Sequence, residues 1–277
     1  MAHVTANGVR LHVQRVPAAG ATGGLPVVCL HGLVDSLASY YFTLAGPIAD
    51  LGLDVVTYDL RGHGRSECPP HGYTVDDAVA DLAGLLDALG IGGPVHLLGC
   101  SFGGTVAFAF AHRHPERVAT LIVIESEPPT TAWAQRTAAG MREVEDLMLD
   151  DAFLNGQPDL ARVLTADKTF AARQPDVIAK MAATVHKLDA DTHLMREITA
   201  PEGLLDAEQV RAIRHPVLLI VGGESDLSTR TSDFTPLLAD CTRIVVPGHG
   251  HLLLTSAPRE VADLVVPWLH ERRTASP

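Results

Sequence analysis

The chain has 277 residues, 47% hydrophobic and 19% charged, with a formal net charge of -12. That length and apolar content support one large α/β domain or two small ones and argue against bulk disorder. The acidic balance repels phosphate backbones, so nucleic acid is not an expected partner.

The stretch MAHVTANGVRLHVQRV alternates polar and apolar residues about Asn7-Gly8 and reads as a β-hairpin. It lacks the basic start and unbroken apolar run of a secretory signal. No apolar run in the chain approaches the roughly 20 residues that span a bilayer, so a cytoplasmic protein without a membrane partner is expected. Four scattered cysteines, Cys29, Cys68, Cys100 and Cys241, show neither CxxC nor zinc-ligand spacing, and free thiols with no metal are expected.

A Gly/Ala/Pro linker follows, and then PVVCL, a short run apolar on both faces that ends at His31-Gly32. Buried parallel strands have this composition. The design recurs in LDVVTYDL, PVHLLG, VATLIVIE, HPVLLIVGG and TRIVVPG. Helical patterns lie between several of them. In TVDDAVADLAGLLDALG, Val79, Leu82, Leu85, Leu86 and Leu89 recur at helical spacing; Thr74 with Asp77 predicts the N-cap and Gly90 the stop. FGGTVAFAFAHRHPER follows its strand directly, and APREVADLVVPWLHERR predicts a final helix. Alternating strands and helices predict a mostly parallel sheet covered on both faces.

From 130 to 214 that rhythm stops, and only helical segments such as TAAGMREVEDLMLDD and QPDVIAKMAATVHKLDA are legible. The expected organisation is a core formed by 1–129 and 215–277, with 130–214 inserted as a helical cap, or lid, over the carboxyl edge of the sheet. The cap carries many charges, including Arg142, Glu143, Glu145, Asp146, Asp150 and Asp151.

Gly99-Cys100-Ser101-Phe102-Gly103 fits G-x-S-x-G between a predicted strand and a predicted helix. A nucleophile at so sharp a turn needs neighbours without bulk two residues to either side. Ser101 has Gly99 and Gly103 there. Cys100 has Leu98 and Phe102, so Ser101 is the expected nucleophile and Cys100 packs beside it.

With this stretch the sequence resembles the α/β-hydrolase superfamily. The resemblance runs over nearly the whole chain and rests on signatures in the expected order: His31-Gly32, YDLRGHGRS, the Ser101 turn, the helical insertion, VGGESD and PGHGH. It implies an α/β-hydrolase fold and a Ser-acid-His set in that chain order. Asp226 is the expected acid, by its spacing from Gly223, with Glu224 and Glu125 as competitors. His251 is the expected base, followed by Leu252, Leu253 and Pro258, with His249 the second choice. The backbone N–H groups of Phe102 and Leu33 are the expected oxyanion donors. His31, Gly32, Gly99 and Gly103 are expected to shape the loops, and the resemblance implies no metal or organic cofactor.

An aspartate nucleophile, as in epoxide and haloalkane hydrolases of this layout, is replaced here by Ser101. HGLVDS lacks the proline of perhydrolase-like relatives. The expected activity is hydrolysis of a small to medium carboxylic ester, thioester or lactone, with a small-molecule acyl substrate as the partner. Acyl transfer, C–C bond hydrolysis and ligand binding without turnover remain alternatives.

Overall fold

A computed structural model describes residues 2–20, 23–148 and 175–273, without the side chains of 144–148, 175–179 and 182. Eight strands, β1 (Ala2–Ala6), β2 (Val9–Val16), β3 (Val27–Leu30), β4 (Val55–Tyr58), β5 (Val95–Cys100), β6 (Val118–Ile124), β7 (Val217–Gly222) and β8 (Cys241–Val246), form one sheet. Its order is β1-β2-β4-β3-β5-β6-β7-β8. The β1–β2 and β2–β4 pairs are antiparallel, and all others are parallel. This is the α/β-hydrolase arrangement that the sequence implies.

The hairpin turns on Asn7 and Gly8, both at positive φ (48° and 75°), the combination a two-residue turn between twisted strands requires. The inner strands β3 to β7 are buried along their full length. Alternate residues feed two cores. In β3, Val28 and Leu30 join the core on one face, and Val27 and Cys29 join the core on the other. Fully burying each such aliphatic side chain contributes about 1.5–3 kcal/mol. The first core is covered by α3 (Val75–Ala88) and α4 (Phe102–Arg113) and the second by α1 (Ala38–Tyr41), α2 (Ala45–Ala49), α10 (Leu253–Ser256) and α11 (Pro258–Arg272). Helix α3 starts in a reciprocal capping box between Thr74 and Asp77, as its sequence predicts.

Between β6 and β7 the described residues hold four helices joined by loops, and no strand: α5 (Thr131–Met148), α6 (Pro175–Asp191), α7 (Leu194–Glu197) and α8 (Ala207–Arg211). Arg142 and Glu143 are exposed. Asp150 and Asp151, and the rest of the expected insertion from 149 to 174, lie outside the described residues, as do the side chains of Glu145 and Asp146. No helix among the described residues is long and apolar enough to cross a membrane.

β3 pairs with β4 on one side and with β5 on the other. The chain therefore winds outward in both directions from the β3–β5 pair, and the loops leaving those two strands diverge to open a crevice at their carboxyl ends.

Candidate active site

Ser101 stands at this crevice, between β5 and α4, at φ 50° and ψ -123°. An L-residue rarely holds that conformation, and strain of this kind concentrates at functional positions. The turn closes tightly. A Cβ at Gly103 would overlap the carbonyl of Leu30, and one at Gly99 would press into the Gly103 carbonyl. These contacts are the steric reason for both glycines. Gly32 faces the serine directly; a Cβ there would sit 3.1 Å from Ser101 Cβ. Cys100 belongs to the core beneath, and burial pushes its thiol well above the usual range, so it holds no thiolate for attack.

His251, in the loop after β8, reaches Ser101: its Nε2 lies 3.0 Å from Ser101 Oγ. Its Nδ1 lies 3.0 Å from Glu125 Oε2. The acid beside the base is therefore Glu125, and the expectation for Asp226 is corrected. Asp226 opens the short helix α9 (Leu227–Arg230) with 89% of its side chain exposed, and its ion pair is to Arg230 at 3.7 Å. The loop after β7 instead supplies Ser225, whose hydroxyl donates to Glu125 Oε2 at 2.6 Å. The Gly222 N–H donates to Glu125 Oε1. Three donors thus hold a carboxylate with no exposed side-chain surface, and burial of the charge is compensated by hydrogen bonds. His249 turns away from Ser101 toward Ser256 (3.0 Å) and Glu260 (3.6 Å).

The loop after β3 is pinned from behind. Buried His31 has Nδ1 2.7 Å from the Gly32 carbonyl, and its Nε2 accepts from Leu60 N–H at 2.9 Å. Desolvation lowers its basicity, so the ring stays neutral with the proton on Nδ1, matching both bonds. Asp59 accepts from Leu37 N–H at 2.9 Å and Arg65 N–H at 3.0 Å, tying the same loop to the YDLRGHGRS stretch. Leu33 follows Gly32 and borders Ser101; Phe102 is the first residue of α4, where a helix leaves its N–H without an acceptor of its own. Val34 stands at φ 58°, an unusual conformation for a β-branched residue.

Two chambers meet at Ser101. The first, about 290 Å³, is mostly apolar, with Met141, Met181, Val185, Leu188, Leu194 and Met195 among its lining residues. The second, about 280 Å³, runs between Trp133 and Thr137 of α5 and the segment after β6. Its polar lining residues Glu127, Arg136 and Arg230 carry no motif in the sequence, because only the fold brings them together. Leu33, Ser101, Gly140, Met141 and His251 border both chambers. Among the described residues, no group of three His, Cys, Asp or Glu side chains is placed to hold a metal ion.

The chain is similar to known proteins along most of its length. It is 36% identical to "Lipase LipV" of Mycobacterium tuberculosis over 276 residues, covering 93% of this chain and 97% of that one. It is 34% identical to "Non-heme chloroperoxidase" of Streptomyces lividans over 122 residues, a match that spans only 44% of each chain. A solved esterase of Thermogutta terrifontis has the same fold, with a TM-score of 0.72 at 24% identity over 99% of each chain. The pattern of the family described as "alpha/beta hydrolase fold" matches residues 26–254. With that match, and with the sheet order and the Ser101 turn described above, this chain belongs to the α/β hydrolase fold family.

Proposed function

We propose that this protein is a serine hydrolase that cleaves a small to medium carboxylic ester, thioester or lactone through an acyl-enzyme. The observation that carries the reading is the continuous chain of contacts from Glu125 through His251 to Ser101, with both links at 3.0 Å. A serine hydroxyl is too weakly acidic to attack unaided near neutral pH. His251 Nε2 takes its proton as Oγ bonds to the substrate carbonyl carbon. Glu125 holds the tautomer with the proton on Nδ1 and stabilises the imidazolium that forms. The oxyanion takes hydrogen bonds from the N–H groups of Phe102 and Leu33.

As the tetrahedral intermediate collapses, the carbonyl reforms and the C–O or C–S bond breaks. The leaving group takes the proton held by His251. Water then attacks the acyl-enzyme, giving its proton to His251, and the carboxylic acid leaves as Ser101 is restored. The apolar chamber takes the acyl chain. Gly140 and Met141 of α5 and Met181, Val185 and Leu188 of α6 line that chamber together with Ser101, which supports reading the insertion after β6 as a cap.

Treatment with a fluorophosphonate tests the reading. One phosphonyl group is expected on the peptide carrying Ser101, with loss of 4-nitrophenyl ester turnover, and neither label nor turnover is expected in Ser101→Ala. A label on another residue, or equal turnover by the two proteins, contradicts it.

A further inference from the structure

The second chamber departs from the first in chemistry. Glu127, nearly buried beyond β6, faces two arginines. Its Oε2 accepts from Arg136 Nη2 of α5, and its Oε1 lies 3.9 Å from Arg230 Nε of α9. Two guanidiniums carry far more N–H donors than one carboxylate accepts. Both side chains line the chamber and stay about a third exposed (35% for Arg136, 32% for Arg230), while their Nε atoms lie buried behind, without a hydrogen-bond partner among the described residues. Among the described residues, the other acids nearby do not remove this surplus. Asp226 faces Arg230 at 3.7 Å, but it is 89% exposed and solvent screens the pair. Glu125 already takes hydrogen bonds from His251, Ser225 and Gly222.

A wall with spare, fork-shaped cationic donors matches a planar anion with two acceptor oxygens. We propose that this chamber is a leaving-group subsite for a carboxylate-bearing alcohol or thiol, with Arg136 and Arg230 as the specificity-determining residues. The inference rests on the serine-hydrolase reading. The substrate is then an ester or thioester whose acyl chain fills the apolar chamber and whose leaving group is a hydroxy or mercapto acid. During turnover that carboxylate stays ionised on the arginines, and only the leaving oxygen or sulfur takes the proton from His251.

The test compares kcat/KM for the hexanoyl esters of 4-nitrophenol and of 5-hydroxy-2-nitrobenzoic acid, each normalised to its own alkaline hydrolysis rate. Wild type is expected to favour the carboxylated ester by about tenfold or more. The preference is expected to shrink at raised salt, to vanish in Arg136→Gln/Arg230→Gln, and to persist in part in Arg136→Lys/Arg230→Lys. Turnover of both esters by wild type without a preference, or an unchanged preference in the glutamine variant, overturns the subsite while leaving the serine-hydrolase reading in place.

Failure to turn over either ester is instead a failure of that reading. Calorimetry with 3-(hexanoylamino)benzoate and its neutral benzamide counterpart then decides the subsite alone. Tighter binding of the carboxylate, lost in the glutamine variant, supports it; equal binding of the two overturns it.

Discussion

Ser101 and Glu125 follow adjacent parallel strands, and both stand at positive φ (50° and 51°). Cys100 and Ile124 are register partners at the ends of β5 and β6, and the Ser101 N–H donates to the Ile124 carbonyl at 2.9 Å. The hydroxyl and the carboxylate are therefore set side by side by the sheet itself, and His251 bridges them from the loop after β8. Two residues in a conformation rare for side-chain-bearing residues, next to each other at one edge, mark where the fold stores strain for positioning.

The turn at Ser101 depends on Gly103. Gly103→Ala places a Cβ against the Leu30 carbonyl, and rigid backbone meets it on that side. A loss of about 1–3 kcal/mol of stability is expected, together with loss of turnover. Chemical denaturation checks the first and 4-nitrophenyl ester assays the second. An alanine variant as stable and active as wild type contradicts the steric account.

Cys100 and Ser101 separate cleanly on chemistry. Cys100→Ala removes a buried thiol that carries no negative charge near neutral pH and retains most of the activity. Ser101→Ala retains the fold and loses turnover. Steady-state kinetics of the two purified variants checks this, and inactivity of Cys100→Ala alongside activity of Ser101→Ala reverses the assignment.

Acid sensitivity follows from buried imidazoles. Burial lowers His63 to about 3 and His96 to about 4, against an ordinary value of 6.5. Between those values and 6.5 the unfolded chain binds protons that the folded chain does not, so stability falls as pH drops below about 6.5. Each histidine contributes at most about 1.4 kcal/mol per pH unit. Urea midpoints from pH 7.5 to 4.5 are expected to fall on the acid side, and less steeply in His63→Asn. Identical slopes for the two proteins contradict the assignment of His63.

Much of this was legible in the residues. Strands apolar on both faces read as a buried parallel sheet, Asn7-Gly8 specified its turn, and glycines two places to either side of Ser101 specified the sharp bend. The acid was not legible in the same way. Glu125 and Asp226 both follow a strand at the carboxyl edge, and spacing favoured Asp226. The direction in which each side chain leaves its strand separates them. A left-handed φ at a glutamate leaves no trace in residue type, and the loop after β7 presents Ser225, not Asp226, to the site. Arg136 and Arg230 were silent for another reason: they come from segments far apart in sequence and meet only across Glu127.

The central claim is that Glu125, His251 and Ser101 act as one unit, and the most direct test is the kcat of Glu125→Gln beside Asp226→Asn on 4-nitrophenyl hexanoate. The account predicts a loss on the order of 10³-fold or more for Glu125→Gln, from the lost charge and misassigned imidazole tautomer, and a change of less than about twofold for Asp226→Asn. A near-normal rate for Glu125→Gln with a collapsed rate for Asp226→Asn would contradict it.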